Sequence, residues 1–321
     1  MNNTSDYTNY TLFGLEDDVV RYVWAGWTLI VLLSSVLGDT IILVATIKYR
    51  AIKLHDITVM FIQHIAVCDL VLSVTYIFPG LVSLLTDKWV LGVIFCNITA
   101  YSSHFFFPVG CFLVCGMTTG KLLLLHCPLK ARIWSSSQAH KVCTGIWLFC
   151  LTLPITQYLF AKDDAVFDLR KYNCTYGFFA DVWRWLKPIS FLVMGSVPSV
   201  TIIVATGLLF KKAREITKAT LRWRGSITLI LVATAYSVAI LPYNLWGLIA
   251  SFLEKDTVSS HQLEWYRFSC TLLSINVMAN FFIYSLTVRS FRTFLNDMSS
   301  KMMPCFVQPT PAQYKVYVMF F

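Results

Sequence analysis

The sequence predicts an all-α integral membrane protein, a seven-transmembrane helix bundle followed by a short amphipathic eighth helix, and three observations carry that prediction. First, the 321 residues are 57% apolar and only 13% charged, with a mean hydropathy of +0.64, against about 25% charge in soluble domains. Second, seven apolar runs are each long enough for a hydrocarbon core roughly 30 Å thick, which takes about 20 residues of helix. Third, 17 of the 26 Lys and Arg residues fall on one side with only three acids, while the other side carries nine bases with twelve acids. A soluble globule of this length would need a charged surface that the composition does not supply. The net charge of +9 is split into short clusters with no continuous basic stripe, so nucleic acid is not expected as a partner.

Residues 1–21 are polar and acidic and lack the basic start and apolar core of a signal peptide, so the first span is expected to act as its own insertion signal. Span one runs from Tyr22 to Ile47 and stops at Lys48. Span two, Ile57 to Leu85, lies between Asp56 and the Asp87-Lys88 pair. Span three, Val93 to His126, starts after Gly92 and ends before Pro128. Span four, Val142 to Phe160, lies between Lys141 and Lys162-Asp163-Asp164. Span five, Pro188 to Phe210, closes at Lys211-Lys212. Span six, Ser226 to Leu253, lies between Arg224 and Glu254, and span seven, Phe268 to Val288, between Arg267 and Arg289. Residues 289–321 are left for the eighth helix and a tail.

An odd number of spans puts the termini on opposite sides of the membrane. The loops after spans one, three and five, with the tail, carry Lys48, Arg50, Lys53, Lys130, Arg132, Lys211, Lys212, Arg214, Lys218, Arg222, Arg224, Arg289 and Arg292 among other bases, opposed only by Asp56, Glu215 and Asp297. By the Lys/Arg rule that side is cytoplasmic and the N-terminus is extracellular. Asn2, Asn3 and Asn9 each begin an N-glycosylation acceptor sequence, which agrees with that orientation.

Cys96 and Cys174 are the two cysteines placed in outer loops, and in an oxidising compartment one bridge from the start of span three to the loop before span five is expected. Asn173-Cys174-Thr175 is also an acceptor sequence. Its modification would compete with the bridge, and chance occurrence is the alternative. The cysteine spacing does not suit zinc; no metal, cofactor or enzyme chemistry is expected. Cys305, after Met302-Met303-Pro304, is a palmitoylation candidate or a plain free cysteine.

The pattern resembles the rhodopsin-like (class A) G-protein-coupled receptors over about Ile30 to Phe294. Trp89-Val90-Leu91-Gly92 followed by Cys96 is similar to the family's outer-turn motif, and Asp69-Leu70 to its second-helix acid. Trp147, Pro198 and Pro242 match the fourth-helix tryptophan and the fifth- and sixth-helix prolines. Asn280-Phe281-Phe282-Ile283-Tyr284 resembles the seventh-helix N-P-x-x-Y, and Phe291 suits the eighth helix. The stretch Thr118 to Ser135 resembles orphan invertebrate members.

Several positions depart from the family pattern. Gly120-Lys121-Leu122 stands where it has D-R-Y, Asp39 replaces the first-helix asparagine, Phe281 the seventh-helix proline, Ala239-Ile240-Leu241-Pro242 the C-W-x-P motif and Thr206 a tyrosine.

The resemblance implies a plasma-membrane receptor that passes an extracellular ligand's signal to a heterotrimeric G protein. A receptor-like protein that couples weakly is the alternative, and a transporter or channel is the rival from another class. Transporters show repeats and a path of intramembrane polar groups, whereas here the intramembrane acids are Asp39 and Asp69. A charge in mid-membrane is functional by default. The resemblance makes Asp39, Asp69, Asn276 and Asn280 an ion or proton site, with a structural hydrogen-bond hub as the alternative; Gly110 stands in place of a usual serine ligand.

By the same resemblance the ligand pocket draws on Thr99, Ser103, His104, Phe107, Tyr243, Asn244, Cys270 and Ser274. A biogenic amine would need a carboxylate where Ser103 stands, and retinal a lysine where Ser274 stands, so neither is expected. Coupling and activation are carried by Lys121, Pro242, Tyr284, Arg222 and Arg224. Lys121 has a rival reading as an interfacial anchor. Pro108, Pro154, Pro198 and Pro242 are expected to kink their spans, Pro242 as a fixed bend or a moving hinge. His64 and His104 read as satisfied core histidines.

Overall fold

A computed structural model describes residues 18–49, 56–126, 136–160, 165–169, 172–176, 186–214, 221–250 and 260–302. Among them seven helices are long and apolar enough to cross a membrane, and an eighth follows the seventh after the single non-helical residue Val288. Span one is Asp18–Ile47, four residues longer at its start than expected, and span two is Asp56–Leu72, a π turn Ser73–Ile77, and Phe78–Thr86. Span three is Gly92–His126 and span four Ser136–Phe160. Span five reaches from Leu186 to Arg214 with a π turn at Phe191–Ser196. Span six is Leu221–Ala250, span seven Ser260–Thr287 and the eighth helix Arg289–Met302.

Spans four, six and seven each begin before their apolar runs do. Hydropathy marks the part of a helix that meets lipid, while hydrogen bonding continues through polar residues such as Ser136, Gln138 and His140. Span three packs against spans two, four and five, span six against five and seven, and span one against two and seven, which closes the bundle. Phe61, Leu113, Met117, Ile202, Leu209, Leu229, Tyr284 and Phe291 form its fully buried centre. Large apolar side chains including Leu33, Leu37, Leu148, Leu159, Val200, Val204 and Leu286 face outward, the distribution a lipid solvent requires.

The prolines divide into two groups. Pro108, Pro154 and Pro242 sit inside helices that continue through them. Pro198 and Pro79, the second of which sequence reasoning did not single out, each follow a π turn. The widened turn supplies i→i−5 bonds, from Phe78 N–H to Ser73 O and from Val197 N–H to Leu192 O, just before a residue that has no N–H to give.

Between spans four and five lies a two-stranded antiparallel hairpin, β1 (Val166–Asp168) and β2 (Asn173–Thr175). It caps one end of the bundle.

Candidate functional site

The hairpin is held at four points. Cys174 in β2 is disulfide-bonded to Cys96 near the start of span three, with 5.3 Å between the Cα atoms. Next to it, Asn173 is 5% exposed and its Nδ2 donates to the Tyr76 carbonyl of span two at 3.3 Å. That approach depends on Gly80, where a Cβ would lie 2.9 Å from the Asn173 amide nitrogen. At the base, Asn97 Oδ1 accepts from the Ala165 N–H at 2.9 Å and from the Tyr176 hydroxyl at 3.1 Å. Tyr172, with φ of 50°, sends its hydroxyl to Asp87 at 3.2 Å; Asp87 in turn lies 3.6 Å from Arg21 of span one.

Beneath the hairpin is a cavity of about 160 Å³ walled by spans one, two, three, six and seven. Of the residues expected there, Phe107, Tyr243, Cys270 and Ser274 line it; Thr99, Ser103, His104 and Asn244 do not. The reasons are local. Thr99 is fully buried in the packed body of span three, and Ser103 turns its hydroxyl back to the Ala100 carbonyl at 3.1 Å. Asn244 packs into Gly195 in the span-five π turn and donates to Ser199 Oγ at 3.0 Å, so it clamps span six to span five. An aromatic row of Tyr76, Phe107, Tyr243 and Phe191, with successive ring centroids 5.7 to 6.2 Å apart, crosses the bundle. Among the described residues none from span four or five lines the cavity, which lies against spans one, two and seven.

Sequence reasoning missed Trp24, Trp27, Tyr76 and Asn173, all of which line the cavity. The signal available for the first two was their i, i+3 spacing near the end of span one, which puts both indoles on one helical face.

Midway down the bundle the acids meet. Ser35 Oγ lies 2.8 Å from Asp39 Oδ2 and 2.7 Å from Ser73 Oγ, and Ser73 Oγ donates to the Asp69 carbonyl at 2.8 Å. Asn280 of span seven donates from Nδ2 to Asp69 Oδ2 at 3.1 Å, and Asn276 is buried one turn before it. Spans one, two and seven are thus joined by one polar chain. Trp147 of span four donates to His64 Nδ1 at 3.3 Å, and His140 stands edge-on to that ring at 5.8 Å.

Toward the end opposite the hairpin, Lys121 is buried, 9% exposed, beside buried Gly120. Its ammonium stem therefore does not lie along the lipid face, which disfavours the anchor reading. Tyr284 is 1% exposed, and its hydroxyl, like that of Thr206, has no partner among the described residues. Arg222 and Arg224 belong to the first turn of span six, and Lys211, Lys212 and Arg214 to the last turn of span five. Asn2, Asn3, Asn9 and Cys305 lie outside the described residues.

Comparison with known proteins agrees with this architecture. The family described as "7 transmembrane receptor (rhodopsin family)" matches residues 40–284. Cholecystokinin receptor type A of Mus musculus is 27% identical over 217 residues, covering 63% of this chain and 48% of that receptor. Melatonin receptor type 1A of Mus musculus is 23% identical over 269 residues, covering 80% and 74%. The chain spans about half the length of the cholecystokinin receptor it matches. The family match takes in most of the chain, from the residue after Asp39 to Tyr284, and the chain belongs to the seven-transmembrane receptors of the rhodopsin family.

Proposed function

We propose that this chain is a G-protein-coupled receptor of the plasma membrane, with the hairpin and N-terminus outside and Lys121, Arg222, Arg224 and the eighth helix facing a heterotrimeric G protein. The observation that carries the reading is the stacking, along one bundle, of a cavity under a disulfide-tied hairpin, a polar chain through Asp39, Asp69 and Asn280, and a basic far end. The orientation is supported by the Lys/Arg distribution and by the disulfide, which suits an oxidising compartment. Relatives are named for ligands as different as cholecystokinin and melatonin, so the family assignment does not specify the ligand; the cavity carries no carboxylate for an amine and no lysine for retinal.

A ligand can move such a bundle only by its affinity difference between two conformations. The elements able to differ are the π turns, the helix around Pro242 and the polar chain between spans one, two and seven. Lys121 replaces an arginine at the effector end. It keeps the charge but loses the planar fork of donors, and coupling through it is therefore shallow.

The test is nucleotide exchange on each class of purified heterotrimer, with the full chain in bilayer discs. Exchange above that of empty discs, reduced by Lys121→Ala, is the expected result. Exchange equal to empty discs for every class favours the second reading, a receptor-like protein that binds without coupling, for which the Gly120-Lys121-Leu122 sequence is the specific observation.

A further inference from the structure

Two residues that line the cavity each carry a buried polar atom with no partner among the described residues: Nε1 of Trp27, a donor, and Oδ1 of Asn173, an acceptor. They come from different elements, span one and the hairpin. The Asn173 amide is oriented by its own bonding: one N–H of Nδ2 donates to the Tyr76 carbonyl, which fixes which end of the amide is the oxygen, and that oxygen has no partner among the described residues. Leaving such groups dry and unpaired costs stability, and it is a cost a bound molecule would remove.

The remaining wall is aromatic or aliphatic with a few hydroxyls, and among the described residues no charged side chain contributes to it. An ammonium or a carboxylate entering here would give up its hydration without meeting a counter-charge. A volume of about 160 Å³ compares with about 150 Å³ for an apolar cavity that holds benzene. One ring with a short polar extension fills it, on the order of ten non-hydrogen atoms. A peptide could insert only one side chain or one end.

We propose that this cavity binds an uncharged, mainly apolar small molecule through a secondary amide, whose carbonyl accepts from Trp27 Nε1 and whose N–H donates to Asn173 Oδ1. A secondary amide carries its donor and its acceptor on opposite edges, which suits two partners on different walls. The assignment deepens the receptor reading, resting on it for the claim that occupancy is signalled, while the binding itself is measurable without any G protein.

The test is a set of four probes of one size titrated against the full chain in lipid discs, read by tryptophan fluorescence and by the unfolding midpoint. N-benzylacetamide carries the amide, its N-methyl derivative lacks the N–H, phenethylamine is cationic and 3-phenylpropanoate anionic. N-benzylacetamide should bind saturably and about tenfold more tightly than the other three, one well-made hydrogen bond being worth up to about that factor. Trp27→Phe keeps the aromatic wall and removes the N–H; it should weaken N-benzylacetamide about five- to tenfold and leave the weak binding of the cationic probe, which has no acceptor for that N–H, unchanged. Equal affinity for the N-methyl, cationic or anionic probe, unchanged affinity in Trp27→Phe, or absence of saturable binding would each overturn the assignment. If N-benzylacetamide binds as described but the chain drives no nucleotide exchange above empty discs, with or without the probe, the site stands and the receptor reading fails.

Discussion

Gly38 of span one and Phe281 of span seven touch so closely that a Cβ at position 38 would lie 2.9 Å from the Phe281 Cβ. Phe281 stands where the family pattern has proline, and its ring also meets Phe291 of the eighth helix edge-on at 6.1 Å. Gly38 is therefore the space that lets an aromatic residue hold spans one and seven and the eighth helix together. Gly38→Ala should destabilise the chain by about 1–3 kcal/mol through overpacking. Adding Phe281→Ala should recover only the part due to the ring, whose Cγ would lie 3.1 Å from the new methyl, because alanine keeps the Cβ that makes the closest contact. Thermal unfolding of the two single variants and the double variant in detergent gives the coupling, and strictly additive effects would refute the contact's role.

The Asp39 chain has a proton count that can be tested. Ser35 and Ser73 bring two hydroxyl protons to three short contacts, Asp39 to Ser35, Ser35 to Ser73, and Ser73 to the Asp69 carbonyl. If Ser35 donates to Asp39 Oδ2, the Ser73 hydroxyl alone must serve both remaining contacts; a proton on Asp39 turns Ser35 toward Ser73 and gives each contact its own proton. Asparagine at position 39 can donate in the same way, so Asp39→Asn should express and unfold like the parent, within about 1 kcal/mol. Ser35→Ala breaks the chain and should cost about 1–3 kcal/mol. Loss of the infrared carbonyl band of a protonated acid in Asp39→Asn would locate the proton. The idea fails if Asp39→Asn abolishes folding while Asp69→Asn does not.

Buried Lys121 sets the expected coupling behaviour. Lys121→Arg should raise the amplitude of nucleotide exchange, and Gly120→Asp, by placing an acid beside the ammonium, should lower the ligand-independent level. Both are read at matched surface expression. No change in either variant would leave Lys121 without a role in coupling.

Asn173 supplies a prediction about processing. Its amide nitrogen, the atom a glycan would occupy, is bonded to Tyr76 and wedged against Gly80, and Cys174 beside it is in the disulfide. Glycopeptide mapping of the mature chain should find Asn173 bare, with any glycan on Asn2, Asn3 or Asn9. Cys174→Ser frees the hairpin, removes up to about 4 kcal/mol in the chain-entropy model, and should make Asn173 an acceptor. A glycan on Asn173 in the folded, disulfide-bonded protein would contradict the hairpin's placement.

Much of this was legible in the sequence because membrane physics writes long signals. The spans follow from apolar length, and the Cys96 to Cys174 bridge from compartment and elimination. The Asp39, Asp69 and Asn280 cluster followed from family order. The cavity was not legible in the same way. Whether Asn244 faces a ligand or Ser199 depends on the extra residue in the span-five π turn, and π turns leave no periodicity to read. Trp24 and Trp27 carry no local sign of a role in the cavity, since nothing near them reveals that a hairpin 145 residues away folds over Trp27. Asn173 was read for its sugar and not for its oxygen.

The π turn at Ser73–Ile77 is one residue more than an α-helix would spend. Excising a single codon from it would swing the following segment by about 100° around the helix axis. Gly80 would leave Asn173, Leu84 would turn off the cavity wall, and Asp87 would lose its station opposite Arg21 and Tyr172. The lower half of span two, with Asp69 and its partners, would stay where it is. A length change of one residue at this place is thus able to re-aim the mouth of the bundle while sparing its polar centre.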